Sequence, residues 1–222
     1  MDKQVEKALR AAIGEYSSIS KTNPSEFSRR ISDVFNLDAS FMEKVELMDE
    51  AFDDEPRLDM FREVFFDLLM INFFAEDVKK LEEDYLDSPE WEVIEEDTID
   101  RGTELLNVLL YIRECKDEDI EPELEDFLKE FLLVEEDEFQ DEHRIYEDII
   151  ANQILMESSI AEIAKVANDL PADSDLKDLF YPIMGFFFEP DPDDEDLDEF
   201  AKNSIDPEFD SAVYALLTSF NN

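Results

Sequence analysis

Glycine, cysteine and histidine are scarce in this chain, and their scarcity excludes several kinds of site. Three glycines, one cysteine and one histidine occur among 222 residues. A phosphate-binding loop needs several glycines, because its backbone must curl closely around the ligand. The sequence contains neither a Walker loop nor a dinucleotide-binding loop.

The single histidine and the single cysteine also exclude the common metal and nucleophile motifs. Di-iron bundles need paired Glu-x-x-His motifs and zinc hydrolases need several ligands, which His143 and Cys115 cannot supply. Cys115 follows Glu114 and lies close to Asp117, and this negative field disfavours a reactive thiolate. No serine stands in a Gly-x-Ser-x-Gly motif. We therefore expect a protein that is not an enzyme and that uses no metal or cofactor.

Long apolar runs are absent as well. The most apolar stretch, residues 64–75, is interrupted by Asp67 and Asn72 and is shorter than the ~20 residues that cross a bilayer. The first residues lack the apolar segment of a secretory signal, and one cysteine cannot form an intramolecular disulfide. These features predict a cytoplasmic protein that does not bind membranes.

Acidic residues and phenylalanine are what the chain has in excess. It contains 63 acidic and 19 basic residues, a net charge of −44, and 19 phenylalanines. Disordered acidic chains are poor in aromatic residues, so this composition predicts a folded body with a charged surface. The charge is uneven, because residues 1–30 carry six bases and four acids. Adaptation to high salt would also produce an acidic surface. Since solubility needs a net charge of only about 2–8, we expect the excess to serve binding.

Apolar residues recur three or four positions apart along nearly the whole chain, and no alternating strand pattern interrupts them. This spacing predicts an all-α protein of about ten helices and no β-sheet. The architecture is expected to be either an irregular multi-helix bundle or a short helical-repeat array. Helix starts are predicted at Ser25, Asp38, Asp54, Ser88, Thr98 and Pro122.

The whole chain, residues 1–222, is predicted to form one acidic domain. Residues 52–58 can be aligned with residues 139–145, with four identical positions, and each segment precedes a long helical pattern. The alignment leaves open two related halves, at roughly 38–115 and 120–222. Chance is the other explanation, because chains rich in Asp and Glu match one another easily.

Three groups of acidic residues are predicted to bind a partner. Side chains three or four residues apart share one face of a helix, so the first two groups can form rows of carboxylates. The third group lies in residues 189–199, where two prolines predict an exposed loop. The candidate residues are Glu114, Asp117, Glu118 and Glu121; Glu135, Glu138, Asp141 and Glu142; and Asp191, Asp193, Asp194, Glu195 and Asp196.

The third group does not fit a calcium-binding EF-hand. That loop requires glycine at its sixth position and a bidentate glutamate at its twelfth. Counted from Asp191, these positions hold Asp196 and Lys202. A solvated acidic loop is favoured over weak binding of divalent cations.

The carboxylate rows indicate the class of partner. Duplex DNA carries one phosphate charge per ~1.7 Å of its axis, and dense carboxylates on a helical body can imitate that spacing. We therefore expect a protein that binds a basic protein and repels nucleic acid. The sharpest form of this prediction is a DNA-mimic-type inhibitor of a nucleic-acid-binding protein.

A Phe-rich segment supports an alternative from another functional class. Phe186, Phe187 and Phe188 are consecutive, so they cannot all face one helical stripe. Exposed together, they would line a groove in which a chaperone or adaptor holds a peptide or a client protein. Burial of all three in the core is the other interpretation, and residues 70–74 raise the same question.

Overall fold

The computed structural model describes residues 1–76, 83–132 and 145–222, and in these ranges it contains helices and turns but no strand. The all-α prediction is confirmed for this part of the chain. The α-helices are α1 (Lys3–Ser20), α2 (Ser25–Asn36), α3 (Phe41–Asp53), α4 (Arg62–Glu76), α5 (Glu83–Leu86), α6 (Pro89–Thr98), α7 (Leu106–Glu118), α8 (Leu124–Leu132), α9 (Glu147–Ala151), α10 (Ile160–Asp169), α11 (Phe180–Phe188), α12 (Asp194–Asn203) and α13 (Pro207–Asn221). In the same ranges, the 3-10 helices Pro56–Phe61 and Gln153–Glu157 precede α4 and α10.

The centre of the fold is α13. Ten of its 15 residues are buried, because α1, α7, α11 and α12 pack around it. Its most extensive interface is with α1. There the Gln4 side-chain amide donates a hydrogen bond to the Phe220 carbonyl at 3.1 Å. A helix that is apolar on most of its circumference has to be enclosed in this way.

Local capping chemistry sets several helix starts. Ser40 and Glu43 form a capping box at the start of α3, and Ser88 accepts a hydrogen bond from the backbone N–H of Trp91 at the start of α6. The start predicted at Ser88 is confirmed. The start predicted at Thr98 is wrong: this residue ends α6, and its hydroxyl donates to the Ile94 carbonyl one turn earlier.

Aromatic stacking joins the three C-terminal helices. The Phe200 ring of α12 lies between Tyr181 of α11 and Tyr214 of α13, with centroid distances of 4.3 and 4.2 Å. Gly185 makes this close approach possible, because a Cβ atom there would lie 2.4 Å from the Phe200 ring. The stack holds α11, α12 and α13 together.

The buried apolar side chains of the described residues form one cluster. The second of the two aligned segments, residues 139–145, falls almost entirely outside the described residues. The single domain and the two related halves therefore stay predictions. No helix within the described ranges combines the length and the apolar character needed to cross a bilayer.

Candidate functional site

The first group of predicted acidic residues lies at the C-terminal end of α7. Glu114, Asp117 and Glu118 are exposed on its last two turns, and Glu121 is exposed just beyond them. Their spacing along the helix brings the first three to one face, as predicted. The second group, Glu135, Glu138, Asp141 and Glu142, lies outside the described residues, as does His143.

The third group is partly helical, so the prediction of a loop over residues 189–199 is wrong from Asp194 onward. Asp193 caps α12: its carboxylate accepts from the N–H groups of Glu195 and Asp196, and Asp196 reaches back to the Asp193 N–H. Asp191, Asp193, Asp194 and Glu195 are exposed, and Asp196 is half-buried. Carboxylates are stabilised at a helix N-terminus by its unpaired N–H groups and its dipole. Several acids of this group therefore have a local structural role.

The Phe-rich segment forms α11, which packs into the core formed by the described residues. Phe186 and Phe187 are buried and Phe188 is half-buried against the core. The Phe187 ring lies 5.4 Å from Phe127 and 6.2 Å from Tyr111, measured between centroids. Different faces of α11 pack against α9, α10, α13 and the second 3-10 helix, which accounts for three consecutive aromatic residues. The core interpretation is correct for Phe186 and Phe187.

An open cleft that sequence reasoning missed contains the carboxylates with the most strongly perturbed environments. It consists of two adjoining cavities of about 290 and 310 Å³, which share Met60, Lys177, Asp178 and Phe209. We call it the acidic cleft, and we name its two parts the Asp67 lobe and the Asp210 lobe. Its acidic residues are Glu63, Asp67, Glu104, Asp175, Asp178, Asp206 and Asp210.

The acidic residues of the cleft come from four segments of the chain. Helix α4 supplies Glu63 and Asp67, and the turn before α7 supplies Glu104. The segment of residues 172–179, between α10 and α11, supplies Asp175 and Asp178. The start of α13 closes the second lobe. Residues far apart in sequence are thus brought together by tertiary packing.

Asp67 is the most deeply buried carboxylate of the cleft, with an exposed fraction of 2%. Its Oδ2 atom accepts a hydrogen bond from the Leu105 N–H at 3.0 Å, whereas its Oδ1 atom is buried without a partner. Burial, reinforced by the negative charges of Glu104 and Glu63, raises the pKa of Asp67 well above its ordinary value. Burial and the nearby charges of Glu63 and Asp175 also raise the pKa of Glu104.

Asp210 is the most deeply buried carboxylate of the Asp210 lobe. Its exposed fraction is 7%, and its Oδ2 atom accepts a hydrogen bond of 2.5 Å from the Ser204 hydroxyl. Burial, together with the charges of Asp206 and Asp178, raises the pKa of Asp210 to about 7. Asp178 thus contributes negative charge to both lobes.

Lys177 is the one basic residue among the described residues that line the cleft, and its charge is used elsewhere. Its ammonium group donates to the carbonyls of Ala167, Asn168 and Leu170 at 2.7, 3.1 and 2.9 Å. These carbonyls belong to the C-terminal end of α10, where a cation is favoured by the helix dipole. The carboxylates of the cleft are therefore left with little compensation.

The arrangement is suited to binding positive charge. A cation between the carboxylates would relieve the mutual repulsion that adds to the effect of burial on the pKa values of Asp67, Glu104 and Asp210. Within the described residues, no group of three or more Asp, Glu, His or Cys side chains is arranged as metal ligands. The carboxylates are spread along the walls, which fits extended organic cations with several N–H donors.

Known proteins give no further guide. The chain matches no protein-family model, no curated protein and no solved structure.

A second cleft, of about 430 Å³, gives the peptide-binding alternative a different location. It lies between the start of α3, the last turns of α4 and helix α6. Phe41, Phe73, Val93 and Ile94 supply apolar side chains to its walls. Val93 is 53% exposed, so part of this apolar lining is open to solvent. Of the Phe-rich segments weighed from the sequence, it is residues 70–74 that border an open cleft.

Proposed function

We propose that this protein binds a basic protein and that the acidic cleft is where cationic side chains of that partner dock. One observation carries the proposal: seven described carboxylates line the cleft, and of these Glu63 alone is ion-paired within the described residues, with Arg101, while Lys177, the one base on the described walls, directs its ammonium group to α10. Uncompensated charge in a concave site focuses the field and favours a ligand of opposite sign.

The rest of the surface supports the approach of such a partner. The net charge of −44 attracts basic proteins over distances of the order of the Debye length, ~8–10 Å. The exposed acids of α7, Glu114, Asp117 and Glu118, add to that field without closing a pocket. In this proposal they speed the encounter, and the cleft holds the bound partner.

The sharpest form of the proposal is an inhibitor that imitates nucleic acid. A nucleic-acid-binding protein presents Arg and Lys side chains for phosphates, and an acidic body can occupy that surface. Such a partner should be displaced by short duplex DNA. Displacement by DNA at constant salt separates this form from a general basic partner.

Two triple variants with the same net charge test the proposal. The cleft triple is Glu104→Gln, Asp175→Asn and Asp178→Asn, and the reference triple is Glu118→Gln, Asp117→Asn and Asp191→Asn. Each protein is immobilised at low salt, exposed to a lysate of the native host and eluted with rising salt. We expect the cleft triple to lose at least about tenfold in affinity for the captured partner and the reference triple less than about threefold.

Three outcomes would contradict the proposal. Equal losses in the two triples would mean that the diffuse field, and not the cleft, determines binding. Capture that is unchanged between low and high salt would mean that charge is not the determinant. Salt-tolerant capture that is lost on Val93→Ser, with the fold intact, would favour the peptide-binding alternative at the apolar cleft.

A further inference from the structure

The protein already holds two guanidinium groups in a recurring arrangement. Arg62 binds Asp49, Asp53 and Asp59 at 3.0, 2.8 and 2.8 Å, and lies 5.4 Å from the centroid of the Phe52 ring. Arg101 binds Asp49 and Glu63, and lies 5.3 Å from the centroid of the Phe66 ring. Each site combines two or three carboxylates with one aromatic ring.

The Asp67 lobe contains the same components without a guanidinium among its described residues. Asp67, Glu104 and Asp175 supply carboxylates, and Phe209 supplies an aromatic ring. Met60 and Val64 add apolar walls that can hold the stem of an alkyl chain. No ion pair within the described ranges engages Asp67, Glu104 or Asp175, in contrast to the acids around Arg62.

The unpartnered oxygen of Asp67 is a second and independent indication. A buried polar atom without a hydrogen bond is unfavourable, and native proteins keep few of them. Asp67 lines the lobe and its Oδ1 atom has no partner. An N–H donor placed in the lobe can satisfy this atom and neutralise the charge together.

We infer that the Asp67 lobe is a receptor for one alkylguanidinium group, the side chain of an arginine on the basic partner. This inference rests on the proposed function, and it adds the ligand chemistry and the position. Arginine is favoured over lysine because its planar group carries five N–H donors, is weakly hydrated and stacks on aromatic rings. A volume of about 290 Å³ lies at the small end of the ~300–1,000 Å³ range of ligand pockets, which suits a single side chain.

Binding in this lobe should release protons. The titratable groups that face Asp67 are Glu63, Glu104, Asp175, Lys177 and Asp178. Burial and neighbouring carboxylates raise the pKa values of Asp67 and Glu104, which favours the protonated forms of these two acids. A guanidinium favours the carboxylate forms and displaces those protons.

Calorimetry of the full chain with small probes tests the inference. The probe is Nα-acetyl-arginine N-methylamide, and its neutral isostere is the citrulline compound. The lysine compound measures the preference for guanidinium. Titrations at constant ionic strength in two buffers of different ionisation enthalpy give the number of protons released. We expect saturable one-to-one binding of the arginine compound with proton release, and binding of the citrulline compound at least tenfold weaker.

Three single variants assign the site. Asp67→Asn keeps the shape of the side chain and should weaken the arginine compound at least tenfold, and Glu104→Gln should weaken it severalfold. Glu118→Gln removes the same charge from the exposed end of α7 and should change binding less than twofold. If Asp67→Asn does not fold, Glu104→Gln against Glu118→Gln decides the question. Equal binding of the arginine and citrulline compounds, unchanged binding in Asp67→Asn, or no saturation would overturn the inference.

Failure of the inference and failure of the proposed function give different results. If the cleft triple loses the captured protein but the arginine compound does not bind, the inference is wrong and the proposed function stands. If the compound binds but the triples capture the protein equally, the lobe is a site for a free guanidinium compound and the proposed function is wrong.

Discussion

Helix α4 carries two acidic residues, one turn apart, that belong to oppositely organised regions. Glu63 is held by Arg101, next to the cluster in which Arg62 bridges three carboxylates of α3 and the first 3-10 helix. Asp67 faces the acidic cleft, where the described walls offer no available cation. Along one face of α4, the chain thus pairs Glu63 with an arginine and leaves Asp67, one turn further on, without a cation among the described residues. The acids of the first region hold arginines of the fold itself, and those of the second are the ones that we propose to bind a partner.

The largest effect on stability is expected from removing an arginine of the neutralised region. Arg62→Ala removes the cation from three carboxylates, and the arginine side chain is only 21% exposed. We expect the free energy of unfolding, measured by urea denaturation, to fall by about 3 kcal/mol. Arg10→Ala is the control, because its partner Glu6 lies on the same exposed helix face and its side chain is 74% exposed. A loss at Arg10 as large as that at Arg62 would mean that the partly buried Arg62 cluster stabilises the fold no more than an exposed ion pair does.

An intermediate effect is expected from a buried acid of the cleft. The pKa of Asp210 is raised to about 7 in the folded protein, compared with about 3.9 in an unfolded chain. The folded state therefore binds more protons between these values, and the contribution of Asp210 to stability is present at low pH and is lost as pH rises towards 7. A shift of this size corresponds to at most about 4 kcal/mol.

Asp210→Asn should remove that pH dependence. The amide oxygen can still accept from the Ser204 hydroxyl, so we expect the variant to be about 2 kcal/mol more stable than the wild type at pH 8. Near pH 5 the two proteins should unfold at similar temperatures. Melting curves at a series of pH values give the comparison, and a constant difference between pH 5 and pH 8 would contradict it.

The smallest effect is expected when an arginine is introduced into the acidic cleft, so that the cleft resembles the neutralised region. Met60 lines both lobes and is 37% exposed, so Met60→Arg can bring a guanidinium to the cleft. We expect a gain of about 0.5 kcal/mol at low salt that shrinks at high salt. The variant should also lose the captured partner. Met60→Gln controls for side-chain length, and the prediction is contradicted if both variants capture equally well.

Much of the fold could be predicted because helical spacing and capping act locally. Ser88 and the proline after it mark the start of α6 as expected. The acids and the two prolines of residues 189–199 predict a loop where the structure forms α12, because acids at the first turn also favour a helix. Thr98 was misplaced because a threonine hydroxyl can also bond back to the preceding turn, which it does here.

The acidic cleft could not be predicted in the same way, because it joins residues from Met60 to Asp210. The sequence did contain one signal. Asp67 interrupts the most apolar stretch of the chain, and Asp210 stands among buried residues of α13. A carboxylate in an apolar helical stripe has to be explained by a partner or by a function. Which acids surround it depends on tertiary packing, and that information is not local.

Glu63 connects the two regions mechanically. One of its oxygens accepts from Arg101 and the other from the Gly102 N–H, while its side chain also forms part of the Asp67 lobe. A cation that enters the lobe would share Glu63 with Arg101, which also holds Asp49 of α3. Occupancy of the lobe should therefore alter the strength of the ion pair between Arg101 and Asp49 of α3. The coupling free energy between the two sites is the same in both directions. Loosening the contact of Arg101 with α3 should therefore alter the affinity of the lobe for a cation by that same free energy.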